Sequence, residues 1–301
     1  MQTVKTVAVD VRDVGSMCNI RGPRKLEQEE HIKTRTLWEK VFEEDSKEFL
    51  DYYYSVKMIE NEIYVMEDGG EIVSMLHLNP YQMRIGDSVY QTHYIVAVAT
   101  DEKYRKRGYM TTLLNHTLNI MKDRNEPFTF LMPAAEAIYK PFGFEFIYTQ
   151  SRVEIRGKNS KDDTLTITTA MRGECLEIAD FANAFLKNYE IVTHRDALYY
   201  ETLLKEYNSE NGGILLARRH GKIVGVVCYA KSKSYECMEP LFHKETDLQH
   251  AIYSLTNNEE EFVVCTGYGN ELTKPIIMAK ILQPEFGDKV KNAKVFLNEV
   301  V

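Results

Sequence analysis

Between Tyr94 and Thr100 the chain reads Tyr-Ile-Val-Ala-Val-Ala-Thr, an almost unbroken apolar run. A strand of this kind is buried on both faces, at the centre of a sheet covered by helices. An amphipathic helix follows over 109–123, with Met110, Leu113, Leu114, Leu118 and Met121 on one stripe. Phe128-Thr129-Phe130-Leu131-Met132 is another buried strand. Together they indicate an α/β (α+β) fold with a mixed central sheet flanked by helices.

The flanking segments fit that frame. Val7, Val9 and Val11 alternate with polar neighbours, as in a short strand or arm. Residues 29–56 read as helix, with Leu37, Trp38, Val41 and Phe42 on one face. Asp45-Ser46 breaks that helix and caps a second one over Phe49–Tyr54. Trp38 is expected in the core, as large aromatics are. Ile63–Met66, the turn Glu67-Asp68-Gly69-Gly70 and Ile72–Leu76 form a hairpin, continued by Met83–Ile85 and Val89–Thr92. The run Ala134–Lys140 is short and helix-prone, closed by Pro141 and Gly143, and Phe144–Tyr148 is a strand.

A polar stretch at 157–163 marks a soft boundary. Beyond it, Ile214–Val227 repeats the hairpin Ile63–Leu76 in pattern, turn position and length, and the helical stretch Ala197–Leu204 precedes it much as Phe49–Val56 precedes the first. Two copies of one helix–hairpin plan follow from this, although any two hairpins with a glycine turn share some likeness. Thr193-His194-Arg195-Asp196 reads as a cap for the helix after it. Pro275–Leu282 and Ala293–Val301 are two more strand-like runs.

Composition narrows the function. Lys plus Arg is 37 and Asp plus Glu is 45, a net charge of −8. Nucleic-acid binding needs a basic surface, so it is not expected. The five cysteines, at 18, 175, 228, 237 and 265, form no CxxC pair, which argues against a disulfide framework and a metal site. No apolar run has the roughly 18–20 residues of a membrane helix, and the first residues carry no secretory pattern. A cytoplasmic location is the expectation.

Against that acidic background one basic loop stands out. The buried strand ends in Val98-Ala99-Thr100, and Arg105-Lys106-Arg107-Gly108 opens the helix at Tyr109-Met110. The first N–H groups of a helix lack intrahelical partners and carry partial positive charge. With three cations beside them and a glycine that admits close approach, they suit a phosphate-bearing ligand, pyrophosphate or similar. The alternative is a solvated basic loop.

This loop resembles the acetyl-CoA loop of the GNAT acetyltransferase superfamily: Arg or Gln, two residues, Gly, one residue, then Gly or Ala. Met110 departs from the last place, as in the enhanced-intracellular-survival type of branch. Ile138-Tyr139-Lys140-Pro141-Phe142-Gly143-Phe144 resembles that branch's Ile-Tyr-x-x-Phe-Gly-Tyr/Phe segment. The likeness covers about residues 30–230. It implies a GNAT acetyl-CoA-binding catalytic domain over 1–157 and a second, degenerate GNAT-like domain without a cradle over 158–270. The strands of 271–301 would be a candidate remnant of a sterol-carrier-like domain.

The same resemblance implies an N-acetyltransferase moving acetyl from acetyl-CoA to a primary amine, a small molecule or a lysine side chain, in a ternary complex. Val98, Ala99 and Thr100 would hold the pantetheine arm, and an N–H near Val98 would polarise the thioester. Backbone amides of Arg105, Lys106, Arg107, Gly108, Tyr109 and Met110 would hold the pyrophosphate. Tyr139 would be the general acid, with a packed aromatic as the alternative reading. The base would be the carboxylate of Val301, Glu136, His93 or water. Relatives in that branch assemble, so a homo-oligomer is an open expectation. The rival functions are a CoA-binding sensor without catalysis and an interaction module that binds no CoA.

Overall fold

A computed structural model describes residues 20–270 and 272–298. The arm at Val7–Val11 and the residue Val301 lie outside them. The first half runs β1 (Ile20–Lys25), α1 (Arg35–Val41), α2 (Lys47–Ser55), β2 (Glu62–Asp68), β3 (Glu71–Ile85), β4 (Ser88–Thr100), α3 (Tyr109–Asp123), β5 (Phe128–Leu131), α4 (Glu136–Tyr139) and β6 (Glu145–Gln150). The break before α2 is where the sequence places it, and the Phe49 amide donates to Ser46 Oγ at 3.0 Å. Trp38 is buried, its ring 4.6 Å from that of Tyr53.

The second half follows the same plan. It runs β7 (Arg152–Arg156), β8 (Leu165–Thr169), α5 (Cys175–Phe185), β9 (Ile191–Thr193), α6 (Ala197–Ser209), β10 (Gly213–Arg219), β11 (Lys222–Lys231), β12 (Tyr235–Phe242), α7 (Glu245–Leu255) and β13 (Phe262–Thr266). β14 (Lys274–Ile281), α8 (Gly287–Lys291) and β15 (Val295–Phe296) close the described chain. Asp196 caps α6 by accepting from the Tyr199 amide at 2.8 Å.

Two sheets result. The first has the order β1-β2-β3-β4-β5-β14-β6, and the second the order β8-β10-β11-β12-β13-β7. In each, the strand before the crossover helix and the strand after it are parallel, β4 with β5 and β12 with β13. The first sheet also takes strands from beyond its own half. β9 pairs with β3, and β14 returns to lie antiparallel between β5 and β6, while β7 leaves β6 after Ser151 and joins the second sheet beside β13. The run from Lys274, set apart in sequence as a remnant of another domain, is therefore a strand of the first sheet. The run expected as a strand over 293–301 pairs only at Val295 and Phe296, with β9, among the described residues.

What the sequence divides into two short strands around residues 77–82 is one long β3. Pro80 does not interrupt it, because neither neighbouring strand bonds to that edge there. β2 covers β3 up to Leu78, and β9 resumes at Met83. A proline is tolerated where no ladder donor is needed.

β14 is held by burial as well as pairing. Ile277, Met278 and Ala279 are buried in the cluster that contains Phe128, Phe130 and Leu131 of β5. Met278→Ala is expected to destabilise the protein by roughly 2–5 kcal/mol, as in other large-to-small core changes. A chain ending at Asn270 is expected to lose the cooperative melting of the first half, because β5 and β6 lose the strand between them. Thermal melts followed by circular dichroism check both, and a truncated chain that melts like the parent would show that β14 is dispensable.

Candidate active site

The site begins with an irregularity in β4. Ala97 has φ +51, a left-handed conformation that costs free energy in a non-glycine residue. Its effect appears in the register. Ala99 lies opposite Met75, but Val96 lies opposite His77, so β4 carries an extra residue there. A bulge bends a strand and increases its twist. On the other side β4 pairs with β5 at Tyr94 and Phe130 only. Beyond that pair the two parallel strands separate, and the edge from Ile95 to Thr100 faces an opening. Val98, Ala99 and Thr100 lie along it.

The strand then turns into the basic loop. Asp101 accepts from the Lys103 amide at 3.0 Å and pairs with Lys40. Tyr104 donates to Asp68 at 3.0 Å, and the Arg107 guanidinium stacks over the Tyr104 ring at 4.9 Å. Arg105 donates to the carbonyl of Thr100 at 3.3 Å, and Arg107 to that of Lys103 at 2.9 Å. These contacts fix the loop while leaving Arg105, Lys106 and Arg107 exposed.

Gly108 is the N-cap of α3, with φ +82 and no side-chain cap over the helix amides. The first turn of α3 holds no acidic residue. A Cβ built at Gly108 would meet nothing within 4 Å, so the space in front of the helix is open. Ser46, Asp101 and Asp196 cap other helical segments with side chains. The amides at the start of α3, including Tyr109 and Met110, face outward without such a cover. That arrangement fits an anionic group.

Tyr139 ends α4 and is buried, its ring 5.9 Å from that of Phe144. It belongs to the same packed cluster as Leu113 and Leu114 of α3, against which Val98 also packs. Burial raises its hydroxyl pKa to about 12. The two described side chains considered as bases are engaged elsewhere. His93 is buried with Nδ1 2.8 Å from Glu126, and Glu136 accepts from Lys140 at 3.1 Å.

Sequence reasoning missed a buried polar cluster behind the bulge. Tyr53 Oη lies 3.2 Å from His77 Nδ1, donates to Asn79 at 3.1 Å and accepts from Asn61 at 3.0 Å. Burial lowers the His77 pKa to about 3, with His31 adding to the effect, so the imidazole is neutral. His77 stands opposite Val96, so this cluster supports the bulge from the α2 side. No spacing rule marks it, since its members come from α2, the loop after it and β3.

The second sheet repeats the bulge without the cradle. Val226 lies opposite Leu241 and Cys228 opposite Met238, and Glu239 has φ +52. Glu239 thus stands where Ala97 stands, and Pro240 where Val98 stands. Proline has no backbone N–H to donate. Only His243 and Lys244 separate β12 from α7, and the first turn of α7 carries Glu245 and Asp247. Negative charge at that helix start opposes an anionic ligand.

A cavity of about 300 Å³ lies between the two halves, at the gap that β2 and β9 leave beside β3. Pro80, Tyr81 and Asn61 line it from the first half, and Glu206, Cys228 and Glu239 from the second. Tyr81 links it to the opening, because its ring packs 6.1 Å from Tyr94 and 5.7 Å from Phe130, the one paired position of β4 and β5.

Among the described residues, no cluster of His, Cys, Asp and Glu could hold a metal ion, and no helix is long and apolar enough to cross a membrane. The four described cysteines are buried and free.

Residues 22–147 match the family model for the acetyltransferase (GNAT) domain. No curated protein matches the chain in sequence. Among solved structures it is similar to a probable N-acyltransferase from Enterococcus faecalis, with TM-score 0.72 and 18% identity over 88% of this chain and 73% of that one. It is similar to Eis1 from Mycobacterium abscessus, with TM-score 0.58 and 11% identity over 89% and 74% of the two chains. A tandem GNAT protein from the clavulanic acid biosynthesis pathway matches with TM-score 0.56 and 11% identity, over 86% of this chain and 98% of its own. The chain thus carries a match to the GNAT acetyltransferase domain over residues 22–147, and it is an acyltransferase with a GNAT fold.

Proposed function

We propose that the protein transfers acetyl from acetyl-CoA to a primary amine by direct attack within a ternary complex. The observation that carries this reading is the uncapped start of α3, set beside three exposed cations and the open edge of β4. The amides from Arg105 to Met110 would hold the pyrophosphate, and the edge from Val98 to Thr100 would bond the pantetheine arm as an added strand does. Bound acetyl-CoA supplies the activated acyl group. The N–H of Val98, turned by the bulge, would stabilise charge developing on the carbonyl oxygen, a contribution of roughly 2–4 kcal/mol.

Tyr139 would donate its proton to the departing sulfur. A thiol has a pKa of about 8.5, so the leaving group needs only moderate help. The attacking amine must be neutral, and an alkyl amine with a pKa near 10.4 is almost wholly protonated at pH 7. The second half contributes no cofactor site in this reading and forms one wall of the acceptor cavity.

Arg105→Glu combined with Gly108→Glu is expected to abolish acetyl-CoA binding in isothermal titration. Equal affinity in the double variant would remove the cradle assignment. Tyr139→Phe is expected to lower kcat by roughly 10- to 100-fold while leaving acetyl-CoA affinity unchanged. Because the Tyr139 pKa is pushed up to about 12, its hydroxyl holds the proton throughout the working range. Turnover is therefore expected to rise with pH as the amine deprotonates, with no alkaline fall up to about pH 10. A fall centred near pH 8 would contradict that assignment.

A further inference from the structure

The two bulges differ in the residue that carries the strain. At the first, the left-handed residue is Ala97, small and apolar, beside the opening. At the second it is Glu239, a charged residue in a strained conformation inside a strand. Strain of this kind persists where surrounding structure holds it, and it gathers at functional sites. Arg195 holds Glu239. The two side chains form an ion pair with Arg195 fully buried and Glu239 10% exposed. A buried pair adds little net stability over an apolar pair of similar size. It does fix a carboxylate in place.

Glu239 lines the cavity between the halves, and so does Glu206 of α6. The Tyr52 hydroxyl donates to Glu206 at 3.0 Å. The opposite wall carries a cation. Lys57 Nζ lies 5.0 Å from the centre of the Tyr81 ring and 3.3 Å from its hydroxyl. Tyr81 packs on Tyr94 and Phe130, the pair beyond which β4 and β5 part. The lining as a whole carries the carboxylates Glu60, Asp196, Glu206 and Glu239 against the ammonium groups of Lys57 and Lys205, so the cavity is acidic on balance, with Lys57 at the Tyr81 end. A like charge disfavours protonation of a neighbouring amine. Its volume of about 300 Å³ holds about ten water-sized groups.

We propose that Glu239, held by Arg195, anchors the distal ammonium of a small diamine whose other amine is acetylated at the Tyr81 end. This rests on the acetyl-transfer reading above. It assigns to the second half a specificity residue at the position where the first half has its bulge alanine.

The test compares a linear diamine with the monoamine of equal length, using acetyl-CoA and the full chain. The parent is expected to favour the diamine at least tenfold in kcat/KM, and Glu239→Gln to erase that preference through the acceptor KM. The KM for acetyl-CoA should not move. Glu239→Gln leaves Arg195 buried with a weaker partner and risks misfolding. Arg195→Met with Glu239→Leu removes both charges together, and this variant must lose the preference as well. A parent that turns over both amines equally, or a folded variant that keeps the preference, overturns the inference while acetyl transfer stands. Failure of the parent to acetylate any amine removes the acetyl-transfer reading and the inference with it.

Discussion

The left-handed residue Ala97 governs the architecture of the site. A regular β4 would pair with β5 along its length and leave no opening. With the extra residue in place, the strands meet at Tyr94 and Phe130 and then part. The edge from Ile95 to Thr100 is open to a ligand, and the helix after it starts at Gly108 with its amides uncovered. The polar cluster of Tyr53, His77, Asn79 and Asn61 supports the bulge from behind. The bulge, the parted strands and the uncapped helix start thus come together on one stretch of chain, 95–110.

The second half keeps the strand plan of the first and lacks its cradle. The order of strands, the parallel pair and the bulge are all retained. Pro240 removes the donor, Glu239 and Arg195 place an ion pair at the bulge, and α7 begins with acidic residues. β9 and β14, which follow the first half in the chain and pair into its sheet, tie the two halves together. The cavity between them is therefore a property of the pair, with walls from both halves.

Much of this is legible in the chain. The apolar run at Tyr94–Thr100, the stripe of α3 and the loop Arg105–Gly108 are local patterns, and local patterns follow from period and capping. The Ser46 and Asp196 caps are legible for the same reason. The place of β14 is not, because the choice between pairing partners far apart in sequence depends on packing that no local pattern records. The bulges are hidden too, since Ala97 and Glu239 are not residue types that demand positive φ. Arg195 reads as part of a cap, and its burial against Glu239 depends on a contact 44 residues away.

The most direct test is a crystal structure with acetyl-CoA bound. The account predicts the diphosphate against the amides at the start of α3, the pantetheine arm along Val98–Thr100 and the acetyl carbonyl at the Val98 N–H. Density for the cofactor at α7 and β12, or none beside Gly108, would contradict it.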